Sequence, residues 1–426
     1  MEGEVDAMSR RAREQMQGIP ALRFRMGEVS STEAVENAEG EANGNSGSIR
    51  LQSAPWNLRT IESLGGRWFK GQPFAKTEIS DNGLRYCIHY GELFTKYGCV
   101  ISRIYSRTNS SATVKSKAGD ILFPASDVTP EGLGRCSVVL QSDVILGGDL
   151  ICFRQDEVDS EFLGYAINNV GAQIIRFVTG TTVRHSSADK LKMVHISLPI
   201  LRHEQQKIGS FFRSLDALIE GREKALGKLE SLKKAMLEKM FPQGDVKIPE
   251  VRFKGFEGEW KFYRFDEVFQ HVQSKAYQIQ AEEYLGVGRY PVVDQGQLPI
   301  VGYSNNATKV CKAKENPVIV FGDHTRIVKY VDFDFVVGAD GTQLLRASDH
   351  DLMFLKEVIC GLPLPNMGYS RHYKYLQESI FLLPGLSEQK KIGAYFRSLD
   401  ALLAARREEV KKLRDLKKAF LERMFV

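Results

Sequence analysis

Two short polar stretches hold the side chains best suited to reading another molecule. One is Gly180-Thr181-Thr182-Val183-Arg184-His185, and the other is Gly368-Tyr369-Ser370-Arg371-His372. Arginine and histidine offer donors for base edges or phosphates, and Thr181, Thr182, Tyr369 and Ser370 add hydroxyls beside them. Lys190 and Lys192 follow the first stretch and Lys374 the second, where their amines suit backbone phosphates. Two further polar clusters are Tyr303-Ser304-Asn305-Asn306 and the His324 and Arg326 pair in Phe321-Gly-Asp323-His324-Thr-Arg326. Each has a plainer reading as a solvated loop or turn. Adjacent Asp323 and His324 resemble an acid–base pair, but after a strand such residues more often satisfy local backbone groups or contact a ligand.

Catalytic motifs are missing. The chain has no G-x-x-x-x-G-K-[ST] phosphate loop, no G-x-G-x-x-G opening a helix, no G-x-S-x-G and no H-E-x-x-H. Asn316-Pro317-Val318 lacks the second proline and the aromatic of an amino-methylation motif. The six cysteines are scattered, with no C-x-x-C pair and no zinc spacing, and reduced buried thiols are expected. No catalytic or metal-binding residue is assigned.

The loops need a scaffold, and the chain supplies one twice. Glu204–Phe241 and Glu388–Phe425 align without a gap at an offset of 184 residues, identical at 23 of 38 positions. A repeat of this length is a duplicated module rather than a solenoid. Ile208, Phe211, Leu215, Leu218, Leu229, Leu232 and Met236 recur at spacings of three and four, as do their counterparts in the second copy, so both predict long amphipathic helices. A helix of about 30 residues spans ~45 Å. The matched seams predict antiparallel pairing of the two helices about a pseudo-two-fold axis, with packing of each on its own domain as the alternative. Arg222 and Arg406 interrupt the seams at the same position.

Length and composition agree. At 426 residues the chain suits two or three domains, and its apolar content is that of a globular protein. A formal charge of +5 permits nucleic-acid contact without demanding it. The second helix copy carries eleven Lys/Arg against six Asp/Glu. No signal peptide and no apolar run near ~18 residues is present, so a cytoplasmic protein with no membrane contact is expected. The organisation read from these signals is a polar segment at 1–19, a first α+β domain at 20–201, a helix at 202–242, a second α+β domain at 243–384 and a helix at 385–426. Residues 27–53, rich in Glu, Asn, Gly and Ser, read as a disordered insertion. They separate Pro20-Ala-Leu-Arg-Phe24 from Trp56, whereas the matching Pro249-Glu-Val-Arg252-Phe253 lies just before Trp260.

With Glu204-Gln205-x-x-Ile208 and Glu388-Gln389-x-x-Ile392, the duplicated helices and the Pro-x-x-Arg-Phe motif in view, the chain resembles the specificity (S) subunits of type I restriction–modification enzymes, from about Pro20 to Val426. It departs from the usual pattern at Gly209 and Gly393, where alanine is common and where glycine is expected to loosen the first turn. The resemblance implies two target-recognition domains of α/β type, each reading half of a bipartite double-stranded DNA site, held apart by antiparallel helices that set the gap. It implies that the helices dock two methyltransferase (M) subunits, with Glu204, Gln205, Ile208, Phe212 and Leu215, and Glu388, Gln389, Ile392, Phe396 and Leu399, as the interface residues. It also implies motor-nuclease (R) subunits, a chain with no active site or cofactor of its own, and S-adenosylmethionine, ATP and magnesium in the partners. An orphan specificity protein acting without a nuclease is the alternative. A nuclease or methyltransferase in its own right fits the missing motifs poorly, and a plain coiled-coil adaptor does not explain two divergent heads.

Overall fold

The computed structural model describes residues 56–425 other than 245, 339, 348, 367 and 369. The 1–19 segment, the Pro20–Phe24 motif, the 27–53 stretch and Tyr369 therefore lie outside the described residues. The chain divides into two units: one runs up to Glu223 and resumes at Glu409, and the other is Lys224–Glu408.

In the first unit the strand Asn57–Thr60 pairs antiparallel with His195–Leu198, from Asn57↔Leu198 to Thr60↔His195, so the domain's opening strand lies beside its closing one. A five-stranded sheet runs in the order Arg67–Lys70, Leu150–Arg154, Asp120–Pro124, Ser137–Val139, Val100–Ile101. Its central strands are buried almost throughout, as continuous apolar runs such as Asp120-Ile-Leu-Phe-Pro124 require. A smaller sheet joins Arg107–Thr108, Arg85–Ile88 and Ile145–Leu146. Helix α1 (Ser160–Asn169) is capped by Asp159, whose carboxylate accepts the Phe162 N–H at 2.9 Å. The chain breaks at Val170, outside helical geometry, and resumes as Gly171–Arg176.

The second unit repeats the plan with different sheets. Lys261–Arg264 pairs with Ile380–Leu383, from Lys261↔Leu383 to Arg264↔Ile380. Two four-stranded sheets follow: Gln270–Val272, Thr342–Arg346, Val318–Gly322, Val328–Val331, and Gly302–Ser304, Tyr290–Val293, Phe335–Val337, Val310–Cys311. Each unit is thus a mixed α+β body entered and left through one antiparallel strand pair.

The repeat forms α2 (Arg202–Met240) and α4 (Leu386–Met424), with the shorter α3 (Leu352–Gly361) between them. The long helices have 39 residues each, longer than the seam alone suggested. Within the first unit, Asp216 pairs with Lys417 and Arg222 with Glu409, so residue numbers rise on one helix as they fall on the other, and Glu223 adds a pair with Arg414. The second unit shows the same sense in Glu230–Arg407 and Lys233–Asp400. The pairing is antiparallel in both, and Arg222 uses its interruption of the seam for an ion pair.

The seam also packs against the domain, so both predicted uses of it occur. In the first unit Trp56, Phe162 of α1, Phe212 of α2 and Phe425 after α4 form one aromatic cluster. In the second unit Trp260, Phe354 of α3, Phe396 of α4 and Phe241 after α2 form its counterpart. Each repeat helix gives one phenylalanine near its start to one unit and one at its end to the other. Leu232 and Leu402, assigned to the seam, are 43% and 40% exposed and take no such part.

Candidate nucleic-acid interface

The Glu-Gln motif is a clamp on each domain. Gln205 donates from Nε2 to the Pro199 carbonyl at 2.8 Å and accepts the Asp159 N–H at 2.9 Å. Gln389 does the same with Pro384 and Asp351, at 2.8 and 3.0 Å. One amide thus ties the end of the closing strand, the cap of the domain helix and the repeat helix together. Asp351 caps α3 by accepting the Phe354 N–H at 2.8 Å. The glycine four residues on lets the helices approach. A Cβ at Gly393 would lie 2.2 Å from Asp351 Oδ1, and one at Gly209 would lie 2.7 Å from the Phe162 nitrogen. These glycines are close-contact points, not loosened turns, which corrects the expectation drawn from helix propensity.

The glutamates differ. Glu388 receives a bidentate pair from Arg252, with both N–O distances 2.7 Å. Glu204 is also buried, but among the described residues no arginine pairs with it. Burial pushes its carboxyl above the usual range, only partly offset by the Trp56 indole, His203 and Lys207. Glu204, Gln205, Ile208, Phe212 and Leu215, and Glu388, Gln389, Ile392, Phe396 and Leu399, are all buried. They are spent on their own unit and offer no face to a partner subunit, which corrects that assignment.

In the first unit Arg184–His185 is a short strand, paired with Ser126–Asp127. His185 and Thr179 exchange backbone hydrogen bonds of 2.7 and 3.1 Å and close a tight tip. Gly180 takes φ +108° there, and a Cβ on it would meet the Val183 carbonyl at 2.1 Å. Thr181, Thr182 and His185 are exposed on this hairpin, and Arg184 is half-buried with Nη1 on the Gly180 carbonyl. Lys190 is half-buried on the following short helix, while Lys192 pairs with Glu62 and Asp189.

In the second unit the structure joins the Asp323 and Ser370 loops. The His324 ring lies 3.2 Å from the Ser370 carbonyl, and its backbone N–H donates to Gln295 at 3.0 Å. Arg326 takes φ +60° and donates to the Leu364 carbonyl at 3.1 Å. Asp323 is 2% exposed, and its carboxylate caps the Tyr373 N–H at 2.8 Å. The pair is therefore loop architecture and not a catalytic dyad. His372 is 1% exposed, with its ring on the Asp323 carbonyl at 2.9 Å, so it holds the loop and cannot face a base as expected. Arg371 and Lys374 are exposed beside it. Ser304 is buried, with its hydroxyl accepting the Asn306 N–H, and Asn305 accepts the Arg289 N–H at 2.9 Å. These two build a turn, in which Ser304 is too buried to be the contact expected while Asn305 stays exposed, and Tyr303 is half-buried in its strand.

Burial pushes the Cys87 and Cys99 thiols up to about 12, so neither is a nucleophile near neutrality. Cys360 is exposed, contrary to the expectation of six buried thiols. Among the described residues no cluster of His, Cys, Asp or Glu could hold a metal ion, and no helix is long and apolar enough to cross a membrane.

Residues 59–231 match the family model described as the type I restriction modification DNA specificity domain. The chain is 32% identical over 104 residues to the type I restriction enzyme EcoR124I/EcoR124II specificity subunit of Escherichia coli, an alignment covering 24% of this chain and 25% of that relative. The alignment thus spans a quarter of the relative's length. The crystal structure of the type I restriction–modification S subunit from M. genitalium superposes with a TM-score of 0.61 at 18% identity, over 89% of this chain and 98% of that one. The HsdS subunit from Thermoanaerobacter tengcongensis aligns at 16% identity with a TM-score of 0.33, over 87% and 93% of the two chains. Residues 59–231 thus match the type I restriction modification DNA specificity domain, and the chain as a whole is similar in fold to a type I restriction–modification S subunit.

Proposed function

We propose that this chain is the DNA sequence-recognition subunit of a type I restriction–modification complex, with each unit reading one half of a bipartite double-stranded site. The observation that carries this is the duplicated clamp: the same Gln-to-cap geometry and the same aromatic cluster support two otherwise different heads. A shared support under divergent heads is what reading two unrelated half-sites requires. The hairpin around Arg184 and His185 supplies donors in the first unit, and Arg371 and Lys374 with the His324 loop supply them in the second. The paired helices set the gap, and their outward faces dock two methyltransferase subunits. Motor-nuclease subunits complete the assembly, which works in the cytoplasm. The chain is non-catalytic: S-adenosylmethionine, ATP and magnesium belong to the partners.

Methylome sequencing of cells carrying this chain with its methyltransferase subunit tests the reading. A new methyl-adenine motif of two short defined halves around an undefined gap is expected. An unaltered methylome, with the complex shown to assemble, overturns it.

A further inference from the structure

A distinctive surface lies at the edge of the small sheet in the first unit. From Arg103 to Thr108 exposure alternates: Arg103 and Tyr105 are exposed and Arg107 half-buried, while Ile104, Ser106 and Thr108 are buried. Residues 103, 105 and 107 therefore share one outward face, as a period of two demands. Tyr86 stands directly opposite Arg107 on the neighbouring strand and continues that face.

The arginines on this stripe are held by aromatic rings. The Arg107 guanidinium sits 4.4 Å from the Tyr86 ring centre and donates to its hydroxyl at 2.9 Å. Arg103 lies 5.4 Å from the Tyr105 ring, which in turn stacks on buried Tyr97 at 6.1 Å. Elsewhere arginines in such positions meet carboxylates, as in Arg59–Glu157, Arg154–Asp120 and Arg213–Glu161. Among the described residues no carboxylate pairs with Arg103 or Arg107. Arg107 spends donors on Tyr86 and on the Gly83 carbonyl, and Arg103 spends none within the described residues. A guanidinium carries five N–H donors, so both keep several free. Orientation over a ring lowers the entropy lost when such a group meets an anion.

We propose that this Arg103–Tyr105–Arg107–Tyr86 stripe is a phosphate-backbone contact face, fixing the register of the first unit on duplex DNA while the Arg184 hairpin reads bases. The assignment rests on the DNA-recognition reading above. Two arginines four residues apart are at most about 14 Å apart along the chain, a span of no more than about four base steps at ~3.4 Å each. Contacts of this kind position a protein without reading sequence.

The test uses the full chain assembled with its methyltransferase subunits, a duplex holding the methylated motif, and binding measured across a salt series. Arg103→Gln with Arg107→Gln should reduce the slope of log K against log salt by about two, near 0.9 for each phosphate no longer neutralised. Each single change should reduce it by about one, and the methylated motif should stay the same. Arg103→Lys with Arg107→Lys keeps both charges and should keep the slope. An unchanged slope in the glutamine pair, with wild type binding normally, overturns the stripe alone. A changed motif overturns it too, because the residues would then read bases. If wild type shows no salt-dependent duplex binding, the DNA-recognition reading fails and the stripe fails with it.

Discussion

For single residues, the repeat motif is explained by contacts rather than by helix propensity. Gly393 sits where a Cβ would fall inside contact distance of the Asp351 cap. Gly393→Ala should therefore destabilise, although alanine is the better helix former, by about 1–3 kcal/mol as overpacking does. A lower urea midpoint with an unchanged m-value checks this, and a gain in stability would show that the helices can part at no cost. The two glutamates should respond in opposite senses. Glu388→Gln takes the carboxylate from half-buried Arg252 and should cost about 1.5–3 kcal/mol, as losing a charged hydrogen-bonded pair does. Glu204 titrates higher in the folded chain than unfolded, so the native state keeps its proton longer and the residue's contribution falls as pH rises through and above the ordinary glutamate range. Glu204→Gln should thus be neutral or stabilising at pH 7, with the advantage fading in acid. Thermal unfolding at pH 4 and pH 7 reads both variants.

Among the elements, the hairpin at Arg184 presents its side chains more rigidly than a loop would. Its strand pairing with Ser126–Asp127 and the Thr179–His185 closure fix where the side chains project. Rigid presentation matters because one bidentate base contact is worth roughly 1–3 kcal/mol only when its geometry holds. Arg184→Ala should relax methylation specificity at one half of the site and leave the other half sharp. Arg371→Ala should do the converse. Methylome motifs from the two variants separate these outcomes, and a uniform loss across all sequences would reassign both residues to phosphate contacts.

In the molecule as a whole, the two 39-residue helices are each about 58 Å long. Successive major-groove faces recur at ~34–36 Å, so helices of this length suit a spacer between half-sites. Gly227 has open space around it. A four-residue insertion there, with the matching insertion in α4, should lengthen the undefined gap of the methylated motif and leave both halves unchanged. An unaltered gap in an assembled complex would sink the spacer role.

The long helices, their duplication and the α+β character of both heads are legible in the order of residues alone. Those signals are local: a three-four apolar period and an ungapped repeat survive in one dimension. The polar loops and the lack of familiar catalytic motifs are legible in the same way. Which side chains are free to act was settled by the folded chain. Glu204, Gln205 and their counterparts look like surface chemistry in a charged helix, yet each is buried, and the glutamines hold caps made more than thirty residues earlier in the chain. His372 reads as a donor and serves its own loop, because Asp323 arrives from a distant strand end. Arg103 and Arg107 carry no motif at all. They form a stripe only because Arg107 pairs with Tyr86 across a sheet and Tyr105 stacks on Tyr97. Periodicity reports which face of an element is apolar, but only long-range pairing decides which polar groups are already satisfied and which remain to meet a partner.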